Sequence, residues 1–176
     1  MDVTRFLDFL QANQALVPYV AAILSAAETT VILSIFVPAT VILTGTGALV
    51  VTGALKFLPL WIGATVGSVI GSTASYLLGR RFGPLILSLR VFRRYGHRVD
   101  RARRYFRERG DATVVFGHFL GPVRPFIFLV AGISHLPLPR FLAMTAVGSA
   151  VWALAILKIG EIGGNLFGWI WSLFSG

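Results

Sequence analysis

The sequence predicts an all-α integral membrane protein built as an inverted repeat. Two broken, re-entrant helical hairpins are each followed by a transmembrane helix, and a basic, cytoplasmic amphipathic helix joins the halves. Three observations carry this prediction. Hydrophobic residues make up 56% of the 176, well above an ordinary soluble composition. Two uncharged runs, Thr29–Leu55 and Phe57–Gly79, exceed the roughly 20 apolar residues that cross a bilayer. Prolines and glycines interrupt two of the apolar stretches near their middles, at Pro38 and again at Gly121, Pro122 and Pro125.

Taken in order, Phe9–Ala27 is the first apolar run, with a more polar start. Asp2 and the lack of a small-residue cleavage motif after a compact apolar core argue against a removed signal peptide. Thr29–Leu55 is long enough to cross once, but Pro38 removes a backbone hydrogen bond and Gly45, Gly47 and Gly53 weaken the helix. A hairpin near 28–55 that enters the membrane and returns accommodates these breaks, because non-helical backbone at depth survives where protein or water surrounds it. KFLPLW (56–61) then leads into Phe57–Gly79, whose Gly63, Gly67 and Gly71 form a ridge of small residues suited to close helix contact.

The second half repeats the logic. FGHFLGPVRPFIFLVAG (116–132) is broken by Gly121, Pro122 and Pro125, giving a hairpin near 113–135. HLPLPRF (135–141) leads into the uncharged run Phe141–Leu157, and the Trp-rich Ile162–Gly176 is read as a return crossing. The chain is therefore read as one membrane domain, 1–176, with a first half (1–79), a basic segment (80–111) and a second half (112–176).

The net charge of +9 is concentrated: eleven of the sixteen Lys and Arg residues lie between Arg80 and Arg109. Basic residues in short loops stay on the cytoplasmic side, so the segment is placed there. Val99, Ala102, Tyr105 and Phe106 fall at helical spacing with arginines on the other positions, as in a helix lying on anionic headgroups. This orientation makes the first hairpin open outward and the second open to the cytoplasm, with both termini cytoplasmic. Nucleic acid is not an expected partner. Cysteine is absent, and His97, His118 and His135 lack the spacing of a helical zinc site, so no metal or cofactor is expected.

Two charges fall inside apolar segments, Glu28 and Arg124. An ionised side chain at bilayer depth costs several kcal/mol unless it is paired or wet, so each must face a polar interior. One reading is an ion pair that pins the two hairpins. The other makes Arg124 an anion ligand, since its planar fork bonds phosphate oxygens in pairs, and Glu28 a proton acceptor. Broken helices add free N–H groups at the same depth. His118, in the same broken segment as Arg124, is a candidate to share the anion, with Pro38, Gly45, Gly121, Pro122 and Pro125 as the breaks lining the site. Tyr76 is read as a packing anchor.

The chain resembles the DedA family, also described as the VTT or SNARE-associated membrane domain. The resemblance rests on Glu28 followed by Val37–Pro38, on GSVIGSTASYLLGRRFG (67–83), on GHFLGPVRPFIFLVAGISHLPLPRF (117–141), and on Trp152 four residues after Gly148. It departs from the family pattern at Pro38-Ala39-Thr40, where Pro-Gly-Glu is usual, at Ser72 in place of an acid, and at His118 in place of an arginine. The resemblance implies oppositely facing re-entrant hairpins, a bacterial inner membrane location, and transport of lipids such as undecaprenyl phosphate or phosphatidylethanolamine, driven in some members by the proton-motive force.

The expected function is thus a non-enzymatic lipid flippase or scramblase for an anionic headgroup, with Arg124, His118 and Glu28 as the substrate-binding set and Glu28 as the proton-coupling candidate. Expected partners are the membrane, a phospholipid or polyprenyl phosphate, and further copies of the chain. A small-ion or solute transporter using the same cavity, and a structural membrane protein without transport, stand as alternatives.

Overall fold

A computed structural model describes residues 13–34, 36, 39–51, 53, 55–88 and 112–175. Pro38 and most of the basic segment, with its expected amphipathic helix, lie outside the described residues. The described chain is helical, with no strand among the described residues. Helix α1 is Val17–Thr29, α2 Ala39–Val51 and α3 Phe57–Ser88. A short helix at 112–117, α4, leads through a 3-10 turn at Gly121–Val123 into α5, Arg124–Ile133, and then α6, Leu138–Ser175. Two stretches, Phe57–Gly83 of α3 and Leu138–Leu166 of α6, are long and apolar enough to cross a membrane.

Helices α3 and α6 are the antiparallel spine. The Tyr76 and Phe141 rings stack with centroids 4.4 Å apart. Two turns up α3, the Ser68 and Ser149 hydroxyls meet at 3.0 Å, and near the α3 N-terminus Leu60 joins Leu157 in one apolar cluster. Helix α1 runs alongside α3 in the same direction. A Cβ at Gly63, Gly67 or Gly71 would collide with the carbonyls of Pro18, Ala22 and Ala26, in that order, so the predicted glycine ridge is what lets α1 lie directly on the α3 backbone. Helix α2 instead packs on α6, where a Cβ at Gly47 or Gly160 would strike the Leu157 or Thr44 carbonyl.

The α1–α2 pair thus descends from the Phe57 end of the spine as far as Thr29 and climbs back from Ala39. The α4–α5 pair enters from the other end: Val114 clusters with Tyr76 and Phe141, and His118, further along the chain, packs its ring over Gly148. Gly121 makes the turn possible with φ +51°, a conformation that favours glycine. Pro125 sits in the first turn of α5, where its missing N–H has no partner to lose.

The surface is unlike that of a soluble domain, and the interior carries polar groups beside its apolar clusters. Ser25, Thr29, Ser68, Ser72, Ser75, His118, Arg124, Thr145 and Ser149 are buried, while Ile23, Phe36, Val41, Ile70 and Leu85 face outward. Large apolar exposure of this extent is what a hydrocarbon solvent accommodates and water does not. The buried polar belt separates two apolar clusters, one around Leu60 and Trp152 and the other around Tyr76 and Phe128.

Four expectations need correction. The first helix pair is not confined to 28–55: its leading arm is α1, drawn from the Phe9–Ala27 run, because the first helix ends only at Thr29 and the second begins at Ala39. Gly45 breaks nothing; it sits exposed in the middle of α2 with nothing near its Cβ position, since one glycine inside a helix costs only about 1 kcal/mol. Ile162–Gly176 does not return, because α6 is continuous from Leu138 to Ser175. No proline follows Pro139 in that helix, and Gly160, Gly163 and Gly164 are absorbed into it. The eighteen residues after Leu157 therefore extend about 27 Å beyond it at 1.5 Å per residue. Consequently Ser175 lies at the Phe57 end of α3, away from Arg80, and not on the side of the basic segment as expected; Asn13 lies at that same end, and the N-terminal residues 1–12 are outside the described residues.

Candidate functional site

Arg124 opens α5 and is 2% exposed. Its Nη2 lies 3.4 Å from Oε2 of Glu28, a side chain 16% exposed in the last turn of α1. The guanidinium carbon sits 4.1 Å from the centroid of the Trp152 ring on α6, within cation–π range. Thr40, in the first turn of α2, donates its hydroxyl to Glu28 Oε1. Helices from both halves of the chain therefore meet at one guanidinium, α1 and α6 directly and α2 through Glu28.

The ion pair is close but incompletely hydrogen-bonded. Arg124 Nη2 and Glu28 Oε2 are both buried without a hydrogen-bond partner, so the contact satisfies distance and not bond geometry. Ser25, Ser72 and Thr145 carry further buried hydroxyls without partners. Ser72 and Thr145 occupy matching register positions on the two spine helices, one turn from the Tyr76–Phe141 stack and one turn from the Ser68–Ser149 bond.

His118 is buried but belongs to a neighbouring network. Its Nδ1 lies 2.9 Å from the Val114 carbonyl. A carbonyl only accepts, so this nitrogen carries the proton and Nε2 is left to accept. Nε2 lies 3.0 Å from the Ser149 hydroxyl, which is 3.0 Å from that of Ser68. His118 thus ties the end of α4 to both spine helices, and its hydrogen bonds go to Val114 and Ser149, not to Arg124 or Glu28. Tyr76 donates to the Leu136 carbonyl and accepts from Arg80 Nη1 at 2.8 Å, anchoring the segment after α5 to α3.

Glu28 and Arg124 meet; His118 stands beside them in its own hydroxyl network; Gly121 and Pro125 shape the turn and the helix start; Gly45 is remote; Pro38 lies outside the described residues. Sequence reasoning missed Trp152 as the platform under Arg124 and Thr40 as the partner of Glu28. Trp152 stood only as the end of a motif. Thr40 stood only as a departure from one, although its spacing of twelve from Glu28 across a turn was the available signal.

A chain whose spine has two membrane-capable helices, an apolar exterior and a buried charged centre defines an integral membrane protein. The VTT domain model matches residues 37–162, and the chain belongs to this family, the DedA family. Among curated relatives it is 29% identical over 133 residues to an uncharacterized membrane protein of Buchnera aphidicola subsp. Schizaphis graminum, covering 76% of this chain and 53% of that protein. It is 28% identical over 125 residues to the inner membrane protein YabI of Escherichia coli, covering 71% and 49%. It is 30% identical over 148 residues to a Lactococcus lactis protein named alkaline phosphatase-like, covering 80% and 67%. The chain spans about half the length of the Buchnera and Escherichia relatives. No solved structure matches.

Proposed function

We propose that this chain moves an anionic lipid headgroup across a bacterial inner membrane, with Arg124 as the headgroup ligand. The substrate class is a phosphate-bearing lipid, either a polyprenyl phosphate or a glycerophospholipid. One observation carries the reading: a guanidinium 2% exposed is held where two helix pairs meet from opposite ends of an apolar spine. In this reading the pairs are re-entrant half-crossings related as inverted repeats, and the headgroup passes between their tips while its chains stay in lipid.

The energetics suit exchange. At 3.4 Å and an effective dielectric of about 20, the Glu28–Arg124 attraction is about 5 kcal/mol. Desolvation of the two groups opposes it by several kcal/mol. The pair is thus near balance, and a phosphate offering two coplanar oxygens to the guanidinium competes with a carboxylate that contacts one nitrogen. Trp152 holds the face of the guanidinium while the anion at its edge is exchanged. Glu28, displaced but still bonded to Thr40, is the carboxylate available to take up a proton, which makes it the coupling candidate.

Reconstitution tests this directly. In vesicles containing a fluorescent-headgroup phosphatidylglycerol, wild type accelerates exchange between leaflets and Arg124→Ala does not. Equal rates for the two proteins would remove the assignment and leave the Glu28–Arg124 pair as a structural pin.

A further inference from the structure

The two arms of the first helix pair are clamped to different partners. α1 lies on α3 through Gly63, Gly67 and Gly71, and α2 lies on α6 through Gly47 and Gly160. The arms are therefore held apart above their turn, and a groove of about 260 Å³ opens between them. Val17, Ala21 and Leu24 form one wall, Ile42 and Leu43 the other, with Leu60 among the lining residues. Its lining is almost wholly apolar, and it reaches to within about one turn of Glu28 and Thr40. Towards the Phe57 end it adjoins a smaller recess that shares Val17, Leu55 and Leu60 and adds Gln14 and the exposed cation Lys56.

An apolar slot with a cation at its rim matches one molecule: a bilayer lipid with an anionic headgroup. We propose that this groove is a binding site for a single anionic phospholipid, one acyl chain lying between α1 and α2 and the headgroup phosphate resting at Lys56. The polarity runs the right way for a lipid of that leaflet, with its head at the interface and its chain pointing toward the bilayer centre. An ammonium near a membrane surface contributes about 1 kcal/mol of attraction to an anionic lipid, equivalent to about a fivefold preference. The site is separate from Arg124 and does not rest on the transport reading.

The test uses nanodiscs with phosphatidylglycerol or phosphatidylethanolamine carrying a diazirine in the middle of one acyl chain. Photo-adducts are expected on 16–24 and 42–60, about fivefold more with phosphatidylglycerol. Val20→Trp or Ile42→Trp, at exposed lining positions, should remove most of the labelling while the protein still elutes as a folded species. Lys56→Glu should abolish the headgroup preference. Labelling that persists in both tryptophan variants, or that ignores headgroup charge and position 56, overturns the proposal. So do adducts confined to residues 1–12 or cross-links bridging two copies.

Discussion

The indole of Trp152 lies against the guanidinium of Arg124 at 4.1 Å from ring centroid to Cζ, joining the middle of α6 to the first residue of α5. The contact fixes the plane of the arginine fork, leaving its edge to Glu28. A partly desolvated cation–π contact contributes about 0.5–2 kcal/mol. Trp152→Leu is therefore expected to slow lipid exchange in vesicles by about three- to thirtyfold, while Trp152→Phe retains most of the rate.

The Glu28–Arg124 pair makes a second, thermodynamic prediction. Removing one partner leaves a buried charge uncompensated, which costs about 3–5 kcal/mol. Glu28→Gln and Arg124→Gln should each lower the detergent-melting temperature, and the double variant should lose less than the sum of the two. A double-mutant cycle with no coupling would mean that the 3.4 Å contact is energetically idle.

Two glycines should respond in opposite ways. A methyl at Gly67 would run into the Ala22 carbonyl, so Gly67→Ala is expected to destabilise by about 1–3 kcal/mol through overpacking. Gly45 has nothing within 4 Å of its Cβ position and lies inside α2, so Gly45→Ala should stabilise by about 0.5–1 kcal/mol. Thermal unfolding of both variants in one detergent checks the pair.

The continuity of α6 predicts sidedness. Because α3 and α6 are antiparallel and α6 runs unbroken to Ser175, positions 81 and 175 lie at opposite ends of the spine. The chain has no cysteine, so Arg81→Cys and Ser175→Cys give clean single labels. An impermeant maleimide applied to oriented vesicles should reach one of them and spare the other. Labelling of both from the same side would restore the return crossing at 162–176.

The tip of the first helix pair gives a last prediction. Thr40 donates to Glu28 across the gap between α1 and α2. Thr40→Val removes that donor while keeping the shape, leaving a carboxylate oxygen unsatisfied at about 1–3 kcal/mol. Melting should shift down accordingly, and Thr40→Ser should recover it.

The sequence by itself determined the class and the charged pair. An apolar run longer than a bilayer is a one-dimensional property, and so is the interruption of a helix at Gly121 and Pro122. Glu28 and Arg124 stood out because a charge in hydrocarbon is intolerable without a partner, and each had no candidate closer than the other. The glycine ridge at 63, 67 and 71 was legible for the same reason, since its spacing alone puts it on one face. Only the tertiary structure decided what those residues touch. Trp152 beneath Arg124 and Ser149 beside His118 are separated by 28 and 31 positions, distances over which no periodicity speaks. The continuity of α6 through Lys158 and Glu161 was likewise undecidable locally: those charges read as the end of a crossing. In the fold they pair with each other at 2.6 Å, and Lys158 lies over the Phe57 ring, so the helix needs no turn to keep them satisfied. Composition sets which solvent a chain can live in, and the packing of distant helices sets where its few charges come to rest.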